Sequence, residues 1–179
     1  SAGMMLVNPN KKTWLFKEAG RIAQLEAVVN LDIKAQAGIG HTRWATHGKA
    51  NRKNAHPHQS SSGRFGLVHN GVIENHDELR EKYLDEIKLV STTDTEVVVV
   101  LIEKKVLQEQ LSVEEAFKQV LKLIKGSYAF VLLDKETPNQ LLAAKNKSPL
   151  LIGKGTDFNL ITSDTSATVT QTVEYIELT

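Results

Sequence analysis

The sequence predicts an α+β domain in which closely spaced antiparallel strands flank a central group of helices. Three observations carry this expectation. Helical periodicity is concentrated mid-chain, between Glu74 and Ile124. The short apolar runs on either side are joined by turn residues, which argues against repeated βαβ units. No internal repeat or low-complexity stretch interrupts the 179 residues, a length that fits one domain, 1–179, with a substantial core.

Taken in order, Ser1 to Val7 is an apolar run that turns at Asn8-Pro9-Asn10 and continues through Thr13 to Phe16, a hairpin pattern. Between Glu18 and Val29, residues Ile22, Leu25, Val28 and Val29 recur at helical spacing. Gly38 to Trp44 reads as a strand entering a polar loop, rich in Gly and His, that reaches about Gly63. Phe65 to His69 reads as a compact strand ended by Asn70-Gly71, a strong turn signal. Glu74 to Ile87 is predicted helical, with Leu79, Tyr83 and Leu84 inward and acids in its first turn. Thr93 and Glu96 have capping-box spacing ahead of a long apolar helix to about Gln108. Ser112 and Glu115 repeat that signature before Ala116, Val120, Leu121 and Ile124, with Gly126 as the stop. Strand-like runs follow at Tyr128 to Leu133, Leu141 to Ala144, Leu150 to Ile152, Leu160 to Thr162 and Val173 to Leu178.

Composition narrows the function. With 22 basic and 21 acidic residues the net charge is +1, so nothing marks a nucleic-acid or anionic membrane partner. The longest apolar runs, such as Val97 to Ile102, fall far short of the ~20 residues of a membrane span. No charged-then-apolar leader precedes the first strand, and a cytoplasmic address is expected. The absence of cysteine excludes disulfides and thiolate metal sites. All six histidines lie between His41 and His76, but their spacing is not helical and Pro57 imposes an extended chain between His56 and His58. No metal or cofactor is expected, and no glycine-rich phosphate loop is present.

Two segments carry chemistry: His41-Thr42-Arg43-Trp44-Ala45-Thr46-His47-Gly48 and His69-Asn70-Gly71. Arg43 closes a predicted strand, and its planar guanidinium matches both oxygens of a carboxylate. Asp94, at the mouth of the long helix, supplies the charge that an ammonium needs. An Arg and an Asp on separate elements suit the two charged ends of an α-amino acid; an internal ion pair is the alternative. The Asn70 amide and the Gly71 N–H can converge on one oxygen as two donors for an oxyanion; a plain hairpin turn is the alternative. Trp44 beside Gly48 fits a closing loop or a residue packed on the core.

These segments, with Asn54-Ala55-His56-Pro57-His58, Thr93-Asp94-Thr95-Glu96, Lys125-Gly126-Ser127-Tyr128 and Lys147-Ser148-Pro149-Leu150, resemble the glutaminase domains of the glutamine–fructose-6-phosphate aminotransferase family. The resemblance runs the length of the chain. It implies an N-terminal-nucleophile hydrolase fold, a four-layer sandwich with two antiparallel sheets between helical layers. It implies hydrolysis of L-glutamine by an amino-terminal Cys, with ammonia passed to an isomerase domain that makes glucosamine 6-phosphate in hexosamine biosynthesis. Carried over, Arg43 would bind the glutamine α-carboxylate with help from Thr46 and His47. Asp94 would bind the α-ammonium, Trp44 would belong to the closing loop, and Asn70 with Gly71 would form the oxyanion hole.

The pattern departs in one respect. The family carries its Cys and an Arg-Gly-Tyr-Asp ahead of the Ser-Ala-Gly that is here Ser1-Ala2-Gly3. The expectation is a piece without the nucleophile, the first strand region and the isomerase domain, and so without glutamine turnover. Two other readings stay open: a module that binds amino acids without turnover, and a hydrolase using Ser1 as an N-terminal nucleophile. Monomer and homodimer are both open.

Overall fold

A computed structural model of the chain describes residues 1–30, 32–43, 51–172 and 174–178. Strands β1 (Ala2–Val7) and β2 (Thr13–Glu18) form the expected hairpin, paired from Ala2↔Glu18 to Val7↔Thr13. Asn8 closes it: its carbonyl accepts from the Lys11 N–H at 3.0 Å and its Oδ1 from the Lys12 N–H at 2.9 Å. Helix α1 (Ile22–Glu26) is shorter than the periodicity predicts. Leu25 is its one buried residue and no side chain caps it, so tertiary packing does not extend it to Val28, which is exposed. Strand β3 (Ala37–Thr42) pairs with the other edge of β1, giving a sheet of order β2-β1-β3.

The second sheet holds β4 (His58–Gln59), β5 (Phe65–Ile73), β6 (Gly126–Asp134) and β7 (Leu141–Asn146), antiparallel and in that order. Between β5 and β6 the chain builds α1's larger counterparts: α2 (His76–Tyr83), α3 (Asp94–Gln108) and α4 (Val113–Leu123). Ser112 caps α4 as predicted, accepting from the Glu115 N–H. The predicted box at α3 does not form. Glu96 reaches back instead to the N–H groups of Val90 and Ser91 at 2.7 and 2.6 Å, while Thr93 Oγ1 meets His58 Nε2 at 2.9 Å. At Thr93, a buried partner outcompeted the local cap.

β5 and β6 are read twice by the core, because successive side chains point to opposite faces. Phe65, Leu67, Ile73, Phe130 and Leu132 pack on α3 and its neighbours. Val68, Ala129, Val131 and Leu133 pack on Met5, Val7 and Ile39 of the first sheet. Gly66 permits that approach, since a Cβ there would stand 2.4 Å from Met5 Sδ. Residues Val97 to Ile102 are all buried, which explains an apolar run without an exposed face. The result is the expected α+β sandwich, with α1 on β1 and β2 at one side and α2 to α4 at the other.

Three sheets are present among the described residues, against the two expected. β8 (Leu151–Lys154), β9 (Asn159–Thr162) and β10 (Glu174–Glu177), with a 3₁₀ turn at Thr165–Ala167, form a small antiparallel sheet of order β10-β8-β9. Leu150, Ile161 and Leu178 join it to the core between the larger sheets.

Candidate functional site

Asn70-Gly71 is not a turn. β5 runs straight through it, with Asn70 opposite Ala129 and Gly71 opposite Tyr128 on β6. Two facts reconcile an Asn-Gly pair with a strand interior. Gly71 has φ +132°, and a Cβ there would lie 2.2 Å from the Ser127 carbonyl oxygen, so only glycine fits. The nine-residue register with β6 then supplies the hydrogen bonds a turn would have made internally.

The other edge of β5 is where the candidate groups gather. β4 pairs only with Leu67 and Gly66, which leaves the edge beyond Leu67 to other partners. The His69 N–H reaches His56 Nδ1 at 3.4 Å, and the Ile73 N–H donates to Asp94 Oδ2 at 2.8 Å. Alternate residues of a strand present their N–H groups to the same side, so the Gly71 N–H lies in the row between these two. Asp94 is the first residue of α3, where a helix start favours a carboxylate. It is buried, receives Thr95 Oγ1–H at 3.3 Å on Oδ1, and lies 3.9 Å from His69 Nδ1. His69 Nδ1 contacts Thr95 Oγ1 at 2.9 Å, tying the strand to the helix a second time.

Arg43 follows β3 and is also buried. Its backbone is fixed by Ser1, whose carbonyl accepts from the Arg43 N–H at 2.7 Å. Burial draws the guanidinium below its ordinary range, and the Asp94 carboxylate opposes that shift. The two predicted charges therefore feel one another across the space between β3 and α3. A cleft of about 640 Å³ opens at Arg43, lined by Ser1, Arg21, Ile22 and Thr42. A second, of about 230 Å³, opens at Asn70 and His41 and runs between the sheets to Leu141, Leu150 and Ile161. The structure thus brings Asn70, Gly71, Asp94 and Arg43 around β5 and β3. Trp44, Thr46 and His47 lie outside the described residues.

Sequence reasoning missed His41, whose Nε2 is 2.7 Å from Asn70 Oδ1. Strand alternation places it on the same face as Arg43, two residues on, and that signal was available. Half-buried His41 joins buried His56, His58 and His69 in one cluster, with ring centroids 4.5 Å apart for His41–His56 and 4.8 Å for His56–His58. Burial comes first in holding all four below the usual histidine range. Mutual repulsion adds to this for His56, while Asp94 partly offsets it for His69. The rings meet at an angle, tilted for His41–His56 and edge-on for His56–His58. Among the described residues no group of His, Asp or Glu has a metal-holding arrangement.

The sandwich is that of a domain of the N-terminal-nucleophile hydrolase type, and solved relatives share it. The chain belongs to the glutamine amidotransferase domain family, whose model matches residues 41–169 and so spans Arg43, Asn70, Gly71 and Asp94. It is 56% identical over 178 residues to the isomerizing glutamine–fructose-6-phosphate aminotransferases of Bacillus licheniformis and Listeria innocua. That match covers 99% of this chain but 29% of each relative. The glutamine phosphoribosylpyrophosphate amidotransferase of B. subtilis superposes with a TM-score of 0.80 at 26% identity, over 99% of this chain and 38% of that one.

Proposed function

We propose that the chain is the glutamine-hydrolysing domain of a glutamine–fructose-6-phosphate aminotransferase. In this reading it holds L-glutamine while its side-chain amide is cleaved, and an isomerase domain takes the ammonia for glucosamine 6-phosphate. One observation carries the reading: the family match spans a buried guanidinium, a buried carboxylate and a strand-held Asn-Gly in one neighbourhood.

Arg43 takes the α-carboxylate, because its fork pairs both oxygens. Asp94 takes the α-ammonium through the lone pairs that Ile73 and Thr95 leave open. When a nucleophile adds to the side-chain carbonyl, the developing oxyanion meets Asn70 Nδ2 and the Gly71 N–H. Losing one such donor raises the barrier by about 2.7–4 kcal/mol. The 179 residues contain no cysteine, so no thiol among them can add to the amide.

Calorimetric titration with L-glutamate, the product, tests the assignment. Saturable binding that disappears in Arg43→Ala is expected. Undiminished binding in that variant would overturn it.

A further inference from the structure

We propose that His41 is a positioning residue that fixes which end of the Asn70 amide faces the substrate. The inference rests on the reading of Asn70 as an oxyanion donor and adds the group that makes it one. An asparagine amide is two-faced: its N–H attracts an oxyanion and its carbonyl oxygen repels one, and a half-turn exchanges them. The Asn70 backbone is locked opposite Ala129, but its side chain is exposed, so packing does not choose between the two faces. A hydrogen-bond partner must choose.

His41 is that partner. Its Nε2 lies 2.7 Å from Asn70 Oδ1, and a ring carrying Nε2–H donates to that oxygen and turns Nδ2 outward. The ring itself has little freedom. It sits on β3 opposite Gly3 and lies 4.5 Å, centroid to centroid, from His56. Burial does most to disfavour the charged ring, Arg43 and the amino terminus assist, and the Asn70 amide and the His69 backbone oppose. Burial lowers His56 and His69 as well, so the rings beside His41 resist protonation with it. A neutral donor has a chemical advantage at this point. A lysine or a protonated ring could hold Oδ1 as well, but its charge would compete with Arg43 for the substrate carboxylate.

The test uses the isotope-labelled chain and nuclear magnetic resonance at neutral pH, reading the His41 ring nitrogens and the Asn70 side-chain amide. The expected result is a neutral His41 protonated on Nε2. His41→Leu should collapse the Asn70 amide signals toward free side-chain values, and His41→Gln, which keeps a donor, should restore them. Added L-glutamate should then shift the Asn70 amide in the parent and in His41→Gln, and lose that shift in His41→Leu. A ring protonated on Nδ1, or Asn70 signals unmoved in His41→Leu, overturns the proposal. If glutamate shifts no residue at all, the amino-acid reading of the site fails. The tautomer and the ligand-free Asn70 signals still decide the role of His41. Should His41→Leu not fold, the tautomer in the parent chain decides alone.

Discussion

The Ile73 N–H donates to Asp94 Oδ2 at 2.8 Å, two residues along β5 from Gly71. One carboxylate therefore holds the helix start against the strand that carries Asn70 and Gly71, and is also the candidate for an ammonium.

Two substitutions separate those roles. Asp94→Ala leaves a buried N–H without an acceptor and should cost about 1–3 kcal/mol, read as a lower midpoint in thermal denaturation. Asp94→Asn keeps an acceptor for Ile73 but removes the charge. It should fold with a near-parent midpoint and bind L-glutamate roughly 10- to 100-fold more weakly by calorimetry, the equivalent of about 1.5–3 kcal/mol for a charged hydrogen bond. Equal glutamate affinity in the parent and Asp94→Asn would remove Asp94 from the site.

Two glycines with positive φ should respond very differently. Gly71→Ala puts a Cβ 2.2 Å from the Ser127 carbonyl oxygen, a backbone atom that β6 holds in place. Gly63→Ala meets nothing nearer than Gln59 Nε2 at 3.8 Å. Urea unfolding should show a loss of about 2–4 kcal/mol for Gly71→Ala and about 1 kcal/mol for Gly63→Ala. Similar losses would mean that φ alone, and not contact with β6, matters at Gly71.

The clustered histidines set an acid limit. His41, His56, His58 and His69 are held below the usual range, so near ~6.5 the unfolded chain takes up protons that the folded chain refuses. Stability is thus unaffected well above that pH and falls as pH drops below it. Each such histidine contributes up to about 1.4 kcal/mol per pH unit. Unfolding free energies measured from pH 8 to pH 5 should show this slope, reduced by about one proton in His56→Phe. A flat profile would contradict the neutral cluster.

Lys17 should be the amine that gives itself away near neutrality. Burial brings its pKa down to about 8, with Glu96 opposing and Arg52 assisting that shift, and its Nζ donates to the Lys53 carbonyl at 3.3 Å. An exposed lysine titrates near ~10.4. Mass-spectrometric mapping after brief treatment with an acylating reagent at pH 8 should find Lys17 modified ahead of exposed lysines such as Lys12.

Much of this was legible in the chain. The hairpin from Ser1, the Ser112 cap and the strands after Gly126 follow from local patterns, and all are found. Arg43 and Asp94 stood out as charged residues at the ends of apolar elements, and both prove to be buried. The Asn-Gly signal misled because turn statistics describe local hydrogen bonds, whereas Gly71 obtains its partners from a strand some 57 residues away, at Tyr128. The Thr93 cap failed for the same reason, its hydroxyl being claimed by His58. The third sheet was invisible because nothing in a short strand states which other strands it will join.

The N–H row along β5 also works as a ruler. Gly71 and Ile73 are separated by one strand repeat, about 6.6 Å, and the second of them pins Asp94. On the proposed reading, the backbone therefore sets the spacing between one oxyanion donor and the N–H that anchors the ammonium acceptor. A substrate shorter by one methylene, such as asparagine, satisfies one end or the other. Selectivity for chain length then begins with the spacing of two backbone N–H groups.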